Sequence, residues 1–310
     1  MSAVTTDERA GAAGPTVLHG GVVDASPPPG GQQRRVRVGS SHILFGTAFL
    51  VGWFVLYMVV LSGFEQSHAQ SSLYHQFRTQ LALATAPTGA VAPGTPVALL
   101  SVPDAGISNL VVVEGTRPEQ LQDGPGHVLG GVLPGQQGSS VIAGKSVSFG
   151  APFARVGELS AGDPVVVTTG QGRFVYDVIG VRTDGDPVPP PLEDGSSRLT
   201  LLTSLRGSGL AGLQAGSSVY VDAVLADDAV PAGQTAPVDT QARRMSGGLD
   251  PTTLALLALS LQGLVAALAG FVWAWFSWSR RAAWIAGAPC VLAALWLVSS
   301  TSTRLLPGLV

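Results

Sequence analysis

Few residues in this 310-residue chain could act as covalent nucleophiles or metal ligands. The single cysteine, Cys290, lies in the uncharged run 282–303, where a reactive thiolate is not favoured. One thiol excludes a disulfide framework and a cysteine-based zinc site. The five histidines show no metal-ligand spacing; they are His19, His42, His68, His75 and His127. We therefore expect no cofactor, no metal site and no cysteine mechanism outside the apolar run.

The overall composition indicates a membrane protein. Apolar residues make up 46% of the chain, charged residues 12%, and the mean hydropathy of +0.36 is too high for an ordinary soluble protein. The net charge of -3 argues against a nucleic-acid partner. Three uncharged runs are long enough to cross a bilayer. We predict transmembrane helices at 42–63, 251–279 and 282–303, the last two forming a tight hairpin with tryptophans near its tip.

The placement of arginine predicts the orientation of these spans. Two clusters flank them and should be cytoplasmic: Arg34, Arg35 and Arg37 before the first span, and Arg280 and Arg281 in the hairpin. The N-terminus is then on the cytoplasmic side of the cytoplasmic membrane, and the region between the first and second spans is on the extracellular side. A cleaved signal peptide ending at Ser67-His68-Ala69 is the alternative for the first span, but its long leader and long apolar core favour a retained anchor.

Composition divides the remaining chain into one domain and its linkers. Residues 1–41 are rich in Gly, Pro and Ser and should form a disordered cytoplasmic tail. Residues 64–96 contain apolar residues at helical spacing and then a Pro-rich stretch, which predicts a juxtamembrane helix and a linker. Residues 227–250 read as a second linker. The domain at 97–226 is long enough to bury its own core.

That domain has the pattern of a β protein. Short apolar runs alternate with Gly and Pro turns, which predicts strands at 97–102, 110–113, 140–143, 164–169, 173–181, 198–203 and 219–225. The residues between the fourth and fifth runs indicate a tight hairpin. Two short helices are predicted at 117–121 and 153–159. Regular short strands favour a sandwich or a barrel over βαβ units.

Several short motifs in this domain belong together: GPGH at 124–127, VIAG at 141–144, GAPF at 150–153, VTT at 167–169 and RLTLLTS at 198–204. Together they resemble the sortases, the membrane-anchored transpeptidases of the Gram-positive cell surface and cell wall. The resemblance covers residues 97–226 and is specific, and the GAPF and VTT forms are similar to those of actinobacterial sortases. It implies a mainly β fold, a sortase-like closed β-barrel of about eight strands, beside the three transmembrane helices.

The sequence departs from the sortase pattern at the residues that the family uses for catalysis. In sortases a His follows VIAG, a Cys ends the strand corresponding to RLTLLTS, and an Arg begins the last strand. Here those positions carry Lys145, Ser204 and Ser218. Candidate substitutes are Arg206, two positions after Ser204, and His127 in GPGH, for which a structural hydrogen-bonding role is expected.

The replacements change the chemistry that the domain could perform. A Ser hydroxyl is a far weaker acid than a thiol, so Lys145 could activate Ser204 only as a neutral, desolvated amine. With an ordinary pKa of about 10.4 it would also be a poor proton donor to a leaving amine. Replacement of the Arg removes the cation expected to stabilise the oxyanion. Four acidic residues share one loop, which we expect to be solvated although some sortases bind calcium: Asp184, Asp186, Glu193 and Asp194.

These observations lead to one interpretation and two alternatives. The interpretation is a catalytically inactive, multi-pass membrane protein with an extracellular sortase-like barrel. It would bind surface proteins or sorting-signal peptides as an accessory factor in sorting or assembly. The first alternative is an active serine acyltransferase or peptidase that uses Ser204 with Lys145. The second is a structural component of a membrane-protein complex, held through the two C-terminal helices.

Overall fold

The structure is a computed structural model that describes residues 48–204, 217–237, 251–305 and 309. Eight strands form one closed barrel with the neighbour order β1-β2-β3-β4-β7-β8-β6-β5. Their bounds are β1 Pro96–Val102, β2 Ile107–Glu114, β3 Gly126–His127, β4 Gly138–Ala143, β5 Pro164–Thr169, β6 Gly172–Thr183, β7 Ser197–Ser204 and β8 Ser218–Leu225. The expected closed barrel of about eight strands is confirmed.

Alternation of side chains explains how these strands enclose a core. Along β5, Val165, Val167 and Thr169 are buried while the residues between them are half-exposed, the period of two that a pleated strand imposes. β1 is buried on both faces, since helix α1 (Ala48–Ala82) covers its outer side through Phe77. Large buried side chains such as Tyr176 fill the barrel. The barrel thus has one continuous apolar interior.

One strand and one helix differ from the sequence expectation. β3 has two residues and was not predicted, because a segment this short carries no periodicity. The helix predicted at 153–159 is a single 3-10 turn, Val156–Glu158, whereas the one predicted at 117–121 is the α-helix α2, Pro118–Asp123. The tight hairpin is present: Thr169 of β5 pairs with Gly172 of β6 across a two-residue loop.

Helix α1 joins the predicted first span to the predicted juxtamembrane helix without a break. It runs from Ala48 to Ala82 and contains one π-helical turn, Tyr57–Leu61. Its second half lies on the barrel: the Gln70 side chain accepts a hydrogen bond from Val111 N at 2.8 Å and donates to Val111 O at 3.0 Å. The expected tail at 1–41 and the start of the first span lie outside the described residues.

The last two helices form the expected hairpin. They are α3, Pro251–Ser277, and α4, Arg280–Thr303, and Ser279 caps α4 by accepting a hydrogen bond from Ala282 N. Near the other end α4 meets α1, where Trp53 donates to Ser299 Oγ at 3.2 Å. All three long helices are long and apolar enough to cross a membrane, which indicates membrane association. Their apolar side chains are widely exposed, Phe276 by 83%.

The start of the predicted second linker is attached to the barrel. Val230 N donates to Gly135 O at 2.9 Å, and Gln137 N donates to Val230 O at 2.8 Å. The Gln136 side chain accepts a further bond from Gly233 N at 3.1 Å. These contacts hold the chain after β8 against the barrel as far as Gly233. The remainder of the linker, 238–250, lies outside the described residues.

Candidate functional site

The ends of three neighbouring strands bring together the positions singled out in the sequence. β4 runs parallel to β7, with Ala143 opposite Leu202, and Ser204 at the end of β7 pairs with Ser218 at the start of β8. Gly144 extends this pairing, since its N–H donates to Leu202 O at 2.9 Å. Lys145 follows directly, so all three positions lie at one rim of the barrel.

Ser204 is the centre of a small hydrogen-bond network. It is 7% exposed, and its hydroxyl donates to the backbone carbonyl of Leu309 at 2.9 Å. Its oxygen lies 2.7 Å from Ser146 Oγ. Because one hydroxyl has one proton, Ser146 donates to Ser204 when Ser204 donates to Leu309. The backbone N–H of Ser146 also donates to Leu309 O, at 3.1 Å. The sequence alone had not singled out Ser146 or Leu309.

Lys145 is buried next to this network. Its side chain is 2% exposed, and its ammonium nitrogen lies 5.3 Å from the centre of the Phe149 ring, a cation–π distance. Burial lowers the pKa of Lys145 to about 8, because removal from water disfavours the charged form. Lys145 is therefore mostly an ammonium at neutral pH and about half neutral near pH 8.

The loop after Lys145 is held in an unusual conformation by helix α1. Phe149, Gly150 and Ala151 have φ angles of 50°, 71° and 46°, which place three successive residues in the left-handed region. Phe149 N donates to Ser62 Oγ of α1 at 3.0 Å. Such strain persists only where neighbours fix it. Ser62, in the middle of α1, therefore helps to position the loop that follows Lys145.

Close packing beneath Lys145 requires a glycine. A Cβ atom added to Gly144 would lie 2.5 Å from the Phe153 ring, far inside van der Waals contact. Phe153 is fully buried in the barrel core, and its N–H donates to Lys145 O at 3.0 Å. The glycine of VIAG and the phenylalanine of GAPF thus pack against each other, and this contact positions the backbone of Lys145.

Ser218 contacts Asp184 with both its backbone N–H and its side chain, and the backbone bond has the larger effect on the pKa of the Asp184 carboxylate. Its N–H donates to Asp184 Oδ2 at 2.7 Å, and this bond lowers the pKa of Asp184. Beside it the Arg182 guanidinium stacks on Tyr220 at 4.1 Å and donates to Asp222 Oδ2 at 2.7 Å. Arg182 is a cation near the rim that sequence reasoning missed, because its partners come from β8. Arg206 lies outside the described residues.

His127 is engaged elsewhere in the barrel. It is 1% exposed; Nε2 lies 3.0 Å from Val132 O and Nδ1 lies 2.9 Å from Glu114 Oε2. A carbonyl only accepts, so Nε2 carries a proton. The Glu114 contact is then either an imidazolium–carboxylate pair or a protonated carboxyl donating to Nδ1. Both ring nitrogens are in hydrogen bonds that link β2, β3 and the following turn.

An apolar wall stands beside the Ser204 network. Leu121 of α2, Ala143 and Leu202 are buried together, and Tyr220 and Leu309 pack against them. Hydroxyl and amide donors therefore lie next to apolar side chains, a combination that can hold an extended peptide by one carbonyl and one side chain. Over the part of the chain that the structure describes, no group of three or more His, Cys, Asp or Glu is placed to hold a metal ion.

Comparison with known proteins shows similarity to sortases within the barrel. Residues 100–204 match the family described as "Sortase domain". The chain is 31% identical to Sortase D of Bacillus subtilis (strain 168) over 75 residues, which are 24% of this chain and 36% of that protein. The chain thus matches about a third of the length of this relative.

Two solved structures are also similar to parts of this chain. A Clostridium perfringens Sortase D5 transpeptidase is 18% identical, with 52% of this chain and 99% of that chain covered and a TM-score of 0.42. Sortase E from Streptomyces avermitilis is 30% identical, with 44% and 91% covered and a TM-score of 0.37. The similarity to sortases is thus found in the barrel, over residues 100–204.

Proposed function

We propose that this protein is a membrane-anchored, sortase-like binding protein that has no thiol transpeptidase activity and serves as an accessory factor in surface-protein sorting or assembly. The observation that carries the proposal is Ser204, which lies at the end of β7 beside Ser146 in a chain whose single cysteine is in α4. A Ser hydroxyl without a strong neighbouring base does not form an acyl intermediate at a useful rate. The site keeps its means of binding and lacks the thiol.

The contacts at the rim support a peptide as the bound partner. The Ser146 N–H and the Ser204 hydroxyl both point at a backbone carbonyl, and the wall around Leu202 accepts an apolar side chain. These are the features with which a sheet edge holds an extended chain. A sorting-signal peptide of a surface protein has this chemistry.

Binding and turnover of a peptide together test the proposal. The full-length protein in lipid nanodiscs is given a fluorescent LPxTG-like peptide and an amine acceptor. We expect saturable binding and no ligated product. Leu202→Asp places a charge in the apolar wall and should weaken binding at least tenfold, whereas Val188→Asp, at a position 78% exposed, should leave binding unchanged. Ligation at the rate of an active sortase, or binding insensitive to Leu202→Asp, would contradict the proposal.

A serine acyltransferase or peptidase is the second candidate, and the burial of Lys145 favours it. A neutral Lys145 amine would take the Ser204 proton as Oγ attacks a peptide carbonyl, and would return that proton to the leaving amine. The acyl group would then pass to an amine or to water. This route predicts labelling of Ser204 by a fluorophosphonate, rising with pH through about 8. Labelling equal in the parent and in Ser204→Ala would eliminate it.

We further propose a topology with the N-terminus in the cytoplasm, the first span retained and the barrel outside. The arginine clusters support it, and so does the contact of the barrel with Ser62, at the end of the predicted first span, and with Thr303, at the end of α4. In a Cys290→Ser background, an impermeant thiol reagent should label Asp194→Cys in intact cells. Ser279→Cys, in the hairpin turn, should react only after permeabilisation; the reverse pattern would overturn the topology.

The exposed hairpin of α3 and α4 suits a role within a membrane-protein complex as well. Such a complex does not conflict with peptide binding at the barrel rim. Photo-crosslinkers placed at Phe276 and Ile285, exposed by 83% and 78%, would capture neighbours in the membrane. A partner recovered through both positions and absent from a crosslinker at the Val188 loop would support the complex. Recovery of lipid alone at both positions would contradict it.

A further inference from the structure

Leu309 occupies the rim site as a ligand would. Its backbone carbonyl accepts hydrogen bonds from the Ser146 N–H at 3.1 Å and from the Ser204 hydroxyl at 2.9 Å. Its half-buried side chain packs against the wall formed by Leu121, Ala143 and Leu202. One residue thus satisfies both halves of the site, the polar donors and the apolar surface.

Contacts along α2 explain why Leu309 lies at this place. Gln122 Nε2 donates to Thr303 Oγ1, the last residue of α4, at 3.2 Å. The positive charge of Arg304 lies close enough to Asp123 to oppose the rise in its pKa that burial causes. Leu121 and Gln122 of α2 therefore contact Leu309 and the end of α4, and the charge of the neighbouring Asp123 interacts with that of Arg304.

We propose that Leu309 is an intramolecular ligand of the rim site, so that an external peptide reaches Ser204 only after Leu309 has left. The ligand class is an apolar residue in an extended chain, recognised by its side chain and by its carbonyl. Leu309 is held by the two hydrogen bonds described above and by the packing of its leucine side chain. A peptide that makes stronger contacts can therefore displace Leu309 with an ordinary binding free energy. The occupancy of the site by Leu309 does not depend on whether the site is catalytic.

Thiol accessibility tests this occupancy in the full-length protein. In a Cys290→Ser background, the maleimide labelling rate of Ser204→Cys is compared with Leu309 intact and with Leu309→Asp, whose charge the apolar wall excludes. We expect labelling at least tenfold faster with Leu309→Asp. Leu83→Asp, at a position 67% exposed at the end of α1, is the matched control and should not change the rate. Equal rates with and without Leu309→Asp would overturn the proposal.

A second thiol separates release of Leu309 from general unfolding. Asp194→Cys, on the exposed loop between β6 and β7, should label equally fast in all variants. The milder Leu309→Ala should accelerate labelling at 204 by less than Leu309→Asp and leave position 194 unchanged. Acceleration at both thiols would mean loss of the fold and would overturn the assignment of a specific ligand.

Peptide binding then connects this inference with the proposed function. The choice of a sorting-signal peptide as the ligand that displaces Leu309 rests on the proposed function. An LPxTG-like peptide should bind Leu309→Asp more tightly than the parent, and should accelerate labelling of Ser204→Cys in the parent chain. If the peptide binds neither form while Leu309→Asp still exposes the thiol, the proposed function fails and the intramolecular ligand stands. If the peptide binds both forms equally, Leu309 is not its competitor and the inference fails.

Discussion

The barrel contains two buried polar clusters, the His127–Glu114 pair and the Ser146–Ser204 network, and their hydrogen bonds are completed in different ways. The pair of His127 and Glu114 is closed on all sides by the barrel's own strands and turn, and both imidazole nitrogens have partners within it. The network of Ser146 and Ser204 is completed by Leu309, which lies beyond the last helix. The first group is part of the scaffold. The second is completed by a residue that can in principle leave.

The comparison shows why the most reactive residue type is not the best site candidate. His127 is the one histidine of the β domain and has the side chain most suited to acid–base work. Its hydrogen bonds are satisfied by fixed neighbours, so it links strands. Lys145 and Ser204 are less suited to acid–base work, but they lie at the rim where the backbone carbonyl of Leu309 is bound. A polar side chain can serve as a binding site when its hydrogen-bonding partner can be replaced, and it serves the scaffold when its partners are fixed parts of the fold. This difference matters more here than the residue type.

The largest effect should follow from breaking the scaffold pair. Glu114→Ala removes the partner of His127 Nδ1 and leaves a buried polar atom unpaired. We expect the free energy of unfolding to fall by about 3–5 kcal/mol, the usual cost of removing one member of a buried pair. Denaturant unfolding of the solubilised protein measures this change. Glu119→Ala, on the exposed face of α2, should cost less than about 0.5 kcal/mol; similar losses for both variants would refute the scaffold role.

The next effect concerns Lys145 and depends on pH. Burial lowers its pKa from 10.5 to about 8, so between these values the unfolded chain holds the proton more tightly than the folded chain. The free energy of unfolding should therefore rise by about 3 kcal/mol from this group as pH increases from 8 to 10.5. Below pH 8 both states hold the proton, so the contribution of Lys145 is fully destabilising there and does not change with pH.

Removal of the titrating amine provides the measurement. Lys145→Met should abolish this rise, so the difference in unfolding free energy between variant and parent changes with pH across the window. Arg173→Met removes an exposed positive charge that does not titrate there and serves as the control. A parent and a Lys145→Met variant with parallel pH profiles would show that burial does not perturb this amine.

A smaller effect should come from the packing beneath the site. Gly144→Ala forces its new methyl group against the Phe153 ring, which must move within a dense core. We expect a loss of about 1–3 kcal/mol, typical of overpacking. Gly180→Ala, where a Cβ meets nothing within 4 Å, should change stability by under about 0.5 kcal/mol. Equal stability of the two variants, measured by denaturant unfolding, would show that the Lys145 position does not depend on this contact.

The sequence was sufficient for the barrel because its information is local. Strands such as β5 and β7 are predicted from runs of Val, Leu and Thr between glycines. The resemblance of the motifs to those of sortases then implied the closed barrel. The rim was only partly predictable. Arg182 reaches it through strand pairing, and Leu309 through a helix end that docks on α2. Contacts between residues so far apart in the chain leave no periodic signal.

The smallest expected effect is the most informative about chemistry. Ser204→Cys should leave turnover of an LPxTG-like peptide at background. An unperturbed thiol has a pKa of about 8.5, so part of it is thiolate near pH 8 and the nucleophile itself would exist. With its pKa lowered to about 8, Lys145 could also return a proton near working pH, which removes one obstacle expected from the sequence.

The remaining obstacle is the oxyanion. At the start of β8 Ser218 offers no cation, and its N–H is held by Asp184 at 2.7 Å. Loss of one oxyanion donor costs on the order of 3 kcal/mol, about a hundredfold in rate. Rescue should therefore require at least Ser204→Cys and Ser218→Arg together, because such groups act as a unit. Single-turnover ligation by each variant, with Leu309→Asp added to open the site, measures this. Sortase-like turnover by Ser204→Cys alone would show that the rim is a working site and would make the Ser204–Lys145 enzyme the better account.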